Sequence, residues 1–421
     1  MSIKDRLIKH PSIETLVTVK GNTKVALYTE PLWSVPFFLF TPFVAVYMRA
    51  LLLSDIQIGI VTSIFLFTRT LTALFSGAVT DKLGRRKTTF IFDILSWSIP
   101  CLLWAFSQNF WWFVVGASFN GIMQMTHNSW TCILVEDVKK ETLFRIFFLL
   151  NLLFHASAIF APLAIVLVNQ LSIIPALRII YLFSFVSMTT KFIILYKYGD
   201  ETKVGKVRLE ETKDMSVWNI MSGYRKIFKD IFTSGDMVFA LIITTVFNIT
   251  AMIHGTFFGL YVTGTLLLPE YQLAYFPIIR SATIVASLYL VQPKLSKLGF
   301  RNPMLIGLVI FVASNIMLIH TPEKSFFILS IYILFDAIAF SFVMPRSDSL
   351  TQMLIEPSER ARISGLMMVI VLGLSIPFGS IAGWLSELDR RFPFLLIIAF
   401  FVAVFVVILV NKKRLKKIKT T

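Results

Sequence analysis

Four polar side chains recur on one helical stripe inside an otherwise apolar run. They are Asn120, Gln124, His127 and Thr131, at i, i+4, i+7 and i+11, with Asn128 beside them. Trp112, Phe119 and Trp130 share the run. Amide and imidazole groups on one face, among aromatic rings, suit a ligand that is polar at its edges and flat on its faces, as sugars and heterocycles are. The same groups also serve hydrogen bonding between helices in an apolar medium, so both readings stand. Glu30 lies one turn before Trp33 and Ser34, and Phe37 and Thr41 continue its face. A carboxylate there either carries a proton or pairs with an Arg or Lys of a neighbouring loop. The Trp33–Phe37 stripe either binds solute or packs in the core or against lipid. Further along stand Thr244, Asn248 and His254, then Asp336, Phe340, Arg346 and Asp348. Arg346 either clamps a carboxylate or phosphate by paired hydrogen bonds, or pairs with an Asp to fix helix packing. Arg69, Asp93, Arg280 and Lys191 complete the set, with Lys191 close enough to the end of its run to snorkel. Each charge in a bilayer costs about 2.5–3.5 kcal/mol or more, which makes all of these candidates for function.

The elements that position these residues are membrane spans. The 421 residues are 56% hydrophobic with mean hydropathy +0.76, against about 45–50% for soluble proteins. Apolar runs of crossing length fall at 25–50, 57–79, 88–107, 110–135, 145–169 and 176–197. Six more fall at 237–263, 271–292, 303–320, 325–355, 362–385 and 392–411. Residues 1–24 form a basic arm, 198–236 a charged linker and 412–421 a basic tail. Within the linker, Trp218, Met221, Ile227, Phe228 and Ile231 alternate with Arg225, Lys226 and Lys229. That pattern fits an amphipathic helix on a membrane surface, or else a solvated linker.

The net charge of +16 does not point to nucleic acid, because its distribution follows topology. Of 40 Lys and Arg, 31 fall in the tails, the loops of one side and the linker, and five on the other side (Arg49, Arg178, Lys324, Arg390, Arg391). This positive-inside bias places both termini in the cytoplasm and anionic lipid beside the chain. Cys101 and Cys132 lie within spans and read as free thiols. The polar first 24 residues predict no cleavable signal peptide.

The two sixes read as copies. Lys82-Leu83-Gly84-Arg85-Arg86 returns 215 residues later as Lys297-Leu298-Gly299-Phe300-Arg301, and Ile133-Leu134-Val135-Glu136 returns as Met353-Leu354-Ile355-Glu356. Parallel repeats of this kind place a solute site near the bilayer midplane, between the halves.

Residues Gly77 to Lys87 read G-A-V-T-D-K-L-G-R-R-K between spans 2 and 3. Gly84 permits the tight reversal. Glu136 and Asp137, at the end of span 4, lie on the side where Arg85 and Arg86 emerge, an arrangement for an ion-pair latch. The stretch resembles the loop 2-3 signature G-x-x-x-D-[RK]-x-G-R-[RK] of the major facilitator superfamily (MFS). The resemblance implies an all-α integral membrane protein, twelve transmembrane helices in two pseudo-symmetric six-helix bundles, with spans 1, 4, 7 and 10 lining a cavity. It also implies that Asp81 braces the start of span 11.

On that footing the expected substrate contacts are Trp33, Phe37, Asn120, Gln124, His127, Asn128, Asn248, His254, Asp336 and Arg346. The proton-coupling candidates are Glu30, His127 and Asp336, and the gating residues are Asp81, Gly84, Arg85, Arg86, Glu136 and Asp137. The expected function is proton-coupled symport of a small polar organic solute, a sugar or sugar derivative first, by a monomer in the cell membrane. Efflux of amphiphiles by proton antiport is the alternative. No P-loop, HExxH or G-x-S-x-G motif occurs, so neither an enzyme nor an ATP-driven pump is expected, and no cofactor or metal. Span 5 lacks the Gly-rich pattern typical of the superfamily's drug antiporters, which favours uptake.

Overall fold

The computed structural model describes residues 16, 18–218, 224–291, 301–353 and 360–411, which are helical with no strand among them. In order these are α1 (Gly21–Ala50), α2 (Asp55–Leu83), α3 (Arg85–Ala105), α4 (Phe110–Gly121), α5 (Met123–Val135), α6 (Arg145–Leu171) and α7 (Ile173–Tyr198). Two short helices follow, α8 (Lys203–Glu211) and α9 (Tyr224–Thr233). The second set comprises α10 (Gly235–Gly264), α11 (Tyr275–Leu290), α12 (Arg301–Ile319), α13 (Phe326–Met353), α14 (Arg360–Leu388) and α15 (Phe392–Val410).

Among the described residues, ten helices are long and apolar enough to cross a membrane. The expected span 4 is instead two helices of 12 and 13 residues broken at Ile122. The expected span 8 is described as a helix of 16 residues. Lys297–Phe300, Leu354–Glu356, Met221, the first 15 residues and the tail 412–421 lie outside the described residues.

Local chemistry sets the ends and bends. Ser54 starts α2 with a capping box: its hydroxyl accepts the Gln57 N–H, and the Gln57 side chain accepts the Ser54 N–H. Gly84 ends α2 at φ +84°, a conformation that L side chains rarely adopt. Pro31 and Pro42 each remove a backbone donor, and α1 is correspondingly irregular at Glu30 and through a 3₁₀ turn at Thr41–Phe43. In α3 a π segment runs from Ile94 to Ser98.

The two sets meet along α2 and α14. A Cβ added to Gly59 would stand 2.5 Å from the Gly379 carbonyl oxygen and 2.8 Å from the Gly383 Cα, so the backbones touch. The Ser63 hydroxyl donates to the Ile376 carbonyl at 2.7 Å, and lies 3.0 Å from the Ser380 hydroxyl. Within each set one bond recurs. Tyr47 donates to the Trp104 carbonyl at 2.8 Å and Tyr261 to the Leu318 carbonyl at 3.1 Å, each across 57 residues of sequence. Donor and acceptor both shift by 214 positions, in step with the sequence echoes.

Because backbone rather than flexible side chain faces Gly59, Gly59→Ala is expected to cost about 1–3 kcal/mol by overpacking. Gly365→Ala, with nothing within 4 Å of the added carbon, should cost little. Thermal unfolding of the purified protein checks both, and equal midpoints for the two variants would refute the close seam.

Candidate functional site

Three cavities line up along the boundary between the two sets and into each of them. The first, about 310 Å³, lies between the sets. Phe37, Thr41, Phe154 and His155 close it on one side, and His254, Phe258, Arg280 and Ser281 on the other. The second, about 250 Å³, lies within the second set and shares His254 and Arg280 with the first. Asn315, Asp336 and Phe340 add to its wall. The third, about 120 Å³, lies within the first set among Glu30, Trp33, Asp93, Thr126, His127, Trp130 and Lys191.

Charge pairing dominates two of them. In the first set, Lys191 Nζ stands 2.7 Å from Glu30 Oε2, with both side chains almost fully buried. The ammonium also lies 5.6 Å from the centre of the Trp33 ring and 5.3 Å from that of Trp130, within cation–π range. Lys191 therefore does not snorkel. Snorkelling keeps the charged head in water, whereas here the head is buried against the Glu30 carboxylate. Asp93 is buried on the wall of the same cavity. In the second set Arg280 donates to Asp336, which names the partner that the sequence alone leaves open. The Arg280 guanidinium lies 5.2 Å from the centre of the Phe340 ring.

The polar stripe of α4 and α5 divides at its break. Gly121 permits the close approach there, since an added Cβ would stand 2.7 Å from Thr68 and 2.8 Å from the Phe65 carbonyl. Asn120 turns to α3 and donates to the Ser96 carbonyl at 2.7 Å, inside the π segment. Gln124 turns to α2 and accepts from Arg69 Nε at 3.0 Å. His127 of the stripe lines the third cavity, and it is exposed. Thr131 donates to the His127 carbonyl, and Asn128 is half-buried.

On α1, Glu30 and Trp33 face the third cavity, and Phe37 and Thr41 the first. That face is one continuous wall. Asn248 accepts from Ser375 of α14 at 3.1 Å, and of the two contacts expected from this helix His254 lines the cavities. Arg346 is buried and donates to the Phe342 carbonyl of its own helix at 2.8 Å. The side chain of Asp348 lies outside the described residues. His155 and Ser281, 3.1 Å apart across the boundary between the sets, were not among the expected contacts. A lone histidine in the apolar run of span 5 is the signal that the sequence offers for this contact.

One end of the assembly is sealed. Asp55, at the start of α2, accepts from Arg390 Nε at 3.0 Å and from the Ser386 hydroxyl at 2.7 Å, while its own N–H donates to Glu387 at 2.8 Å. Nearby, α6 packs on the turn Glu270–Ala274, and Gly259 lets α10 approach Val46 and the Pro42 carbonyl of α1.

Residues 34–380 match the Major Facilitator Superfamily. The chain belongs to that superfamily. No curated relative matches it. Among solved structures it is similar to a mutant of nucleoside transporter NupG, with TM-score 0.71, 15% identity, 92% of this chain and 99% of that one covered. A mutant of peptide transporter POT gives TM-score 0.73 at 12% identity, over 97% and 99% of the two chains. A bacterial homologue of the iron transporter ferroportin, in an inward-facing state, gives 0.67 at 15%, over 92% and 98%. The protein is thus a multi-pass membrane protein with the family and fold of secondary transporters.

The superfamily signature loop is held by a dense cluster. Arg85 donates to Asp81 at 2.9 Å and, through Nε and Nη2, to both Glu136 oxygens at 3.2–3.3 Å. Thr202 also donates to Glu136. The Glu201 carboxylate accepts the Arg85 and Arg86 N–H groups at 2.9 and 3.0 Å, capping the positive end of α3. The Arg86 side chain donates to the Tyr196 carbonyl, at 2.8 Å from Nε, and covers that ring. Asp137 accepts the Lys203 N–H at 3.2 Å and faces Asn22. Among the described residues these partners all belong to the first set or the linker. Asp81 accepts from Arg85 there, and the expected contact of Asp81 with the start of span 11 falls on residues 354–359 and the side chains of 360–362, which lie outside the described residues.

Removing one member of a buried pair strands the other. Lys191→Met is therefore expected to destabilise by about 3–5 kcal/mol, and Glu30→Gln/Lys191→Met to regain most of that loss. Chemical unfolding of both variants decides. A single variant as stable as the double would mean that the pair is not buried in solution.

Proposed function

We propose that the chain moves a small polar organic solute, a sugar or sugar derivative first, together with protons, by rocking of the two helix sets as six-helix bundles about a midplane site. In this reading α4–α5 and α11 complete twelve crossings. The protein acts as a monomer in the cell membrane, with both termini and the Arg85–Glu136 cluster on the cytoplasmic side. The observation that supports it most is the placement of Glu30–Lys191 and Arg280–Asp336 on cavity walls inside apolar helices. Charges kept at such cost serve a polar cargo or a proton. The sealed Asp55 end and the exposed His127 fit a conformation open towards the cytoplasm. Arg85, Asp81 and Glu136 then stiffen the first bundle at its cytoplasmic end, and the latch acts as a gate through that bundle.

A second reading, efflux of amphiphiles by proton antiport, draws on the walls of the central cavity, where Phe37, Phe38, Phe154, Phe258 and Phe276 present a broad aromatic surface. Proteoliposomes separate the two. Uptake driven by an acidic exterior is expected for labelled sugars, whereas dye extrusion would establish efflux.

Glu30→Gln, His127→Ala and Asp336→Asn test coupling. The variant that removes the proton carrier should lose accumulation yet keep exchange, and full accumulation in all three would overturn proton coupling. Arg85→Ala is expected to slow transport severalfold without altering solute affinity. A large loss of affinity would count against a gating role.

A further inference from the structure

Three buried polar atoms near the second cavity have no hydrogen-bond partner: His254 Nε2, Asn315 Oδ1 and the Tyr332 hydroxyl. Such atoms are rare in folded proteins and usually answer to water or a ligand. Here they come from three helices. His254 and Asn315 line the cavity, and Tyr332 packs with its ring 6.1 Å from that of His254. Arg280 stands among them and is the only Arg or Lys lining this cavity or the central one, among the described residues. It is held by Asp336, which is itself buried on the same wall.

We propose that this cluster is an organic-anion subsite, in which the carboxylate of the transported solute replaces Asp336 on Arg280 once Asp336 has taken up a proton. The inference rests on the transport reading above and adds to it the charge of the solute. A guanidinium carries a single positive charge, which balances one carboxylate. Two carboxylates sharing it inside a bilayer would leave one negative charge unanswered. A proton on Asp336 removes that conflict: the Asp336 oxygen gains the hydrogen and releases the guanidinium, and the incoming carboxylate takes the vacated N–H groups. Net charge at the site is then the same before and after, because one proton and one anion arrive together.

A single cation argues for a carboxylate over a phosphate ester, whose second ionisation would call for another. Phe247, Phe311, Phe340 and Phe401 supply the aromatic part of the wall, so the body of the solute is flat or apolar on at least one face. Arg280 from α11 is bonded to Asp336, His254 from α10 shares the cavity wall, and Tyr332 precedes Asp336 by four residues on its own helix. Among the lining residues, α12 and α15 contribute Asn315, Phe311, Ile397 and Phe401, which do not titrate.

The sign follows: anion affinity rises as pH falls. The test uses the full chain in lipid nanodiscs and thermal unfolding at about pH 5.5 and about pH 8. The probes are phenylacetate against phenylacetamide, glucuronate against glucose, and phenyl phosphate as the doubly ionising arm. A carboxylate is expected to raise the midpoint more than its neutral counterpart, and more at the lower pH. Arg280→Gln should weaken that carboxylate about tenfold to a hundredfold. Asp336→Asn should bind it equally at both pH values, and His254→Gln should keep the pH difference, which assigns it to Asp336.

If Arg280→Gln does not fold, Arg280→Gln/Asp336→Asn strands no charge and should show the same loss. Neutral probes matching the carboxylates would overturn the inference. So would a carboxylate response surviving without Arg280, phenyl phosphate outbinding both carboxylates, or no probe binding at all. The accumulation assay in proteoliposomes decides the transport reading independently, since a neutral solute accumulated there would leave transport standing and this inference fallen.

Discussion

The lipid interior does not solvate ions, so every charge carried into it by Glu30, Lys191, Arg280 or Asp336 has to be answered by another side chain. That requirement fixes which helices are neighbours. Glu30 binds α1 to α7 and Asp336 binds α13 to α11, and the irregular parts of the fold sit close to these pairs. The unevenness of α1 begins at Glu30, and the π segment of α3 begins directly after Asp93. Asn120 then supports the widened turn by donating to the Ser96 carbonyl. A side-chain amide serving a backbone carbonyl is a common way for membrane helices to stabilise a departure from regular geometry.

The two helix sets differ in how they use aromatic residues around their charges. Lys191 lies against two indole rings, which offer a negative face to an ammonium already paired with Glu30. Arg280 meets a single phenyl ring and keeps part of its surface towards the voids. The first arrangement is saturated, the second is not. The α2–α14 seam sets the distance between the sets, because glycine backbones in contact allow no further approach. With that distance fixed, the Asp55–Arg390 cluster closes one end, and the cavities occupy what the side chains leave open.

Much of the fold was legible because the signals are coarse. Apolar runs of crossing length mark helices whatever their neighbours, and ten of them satisfy the length and hydropathy that crossing demands. The site was legible only in part. The stripe from Asn120 to Thr131 assumed an unbroken helix, and Gly121 beside Thr68 breaks it, sending Asn120 and Gln124 to different neighbours. Periodicity does not register a break whose cause is a helix packed from outside. Asp336 was a clear anomaly by hydropathy, yet its partner lies 56 residues away on another helix, information that resides in packing. The Glu30 face was the opposite case. Its spacing alone put Trp33, Phe37 and Thr41 on one line, and the line follows the cavities because Pro31–Phe40 between the two irregularities is a single α segment.

The linker has a mechanical property that its sequence does not advertise. Its first helix, α8, is fastened to α2, α3 and α5 through Glu201, Thr202 and Thr212, and Trp218 rests edge-on against Phe75. Its second helix, α9, buries Ile227 and Ile231 against Ile363, Leu366 and Met367 of the other set. The linker is thus held by both sets, through α8 and Trp218 to the first and through α9 to the second. Substitutions on the buried face of α9, at Ile227 or Ile231, would therefore loosen the linker from the second set while leaving its grip on the first intact.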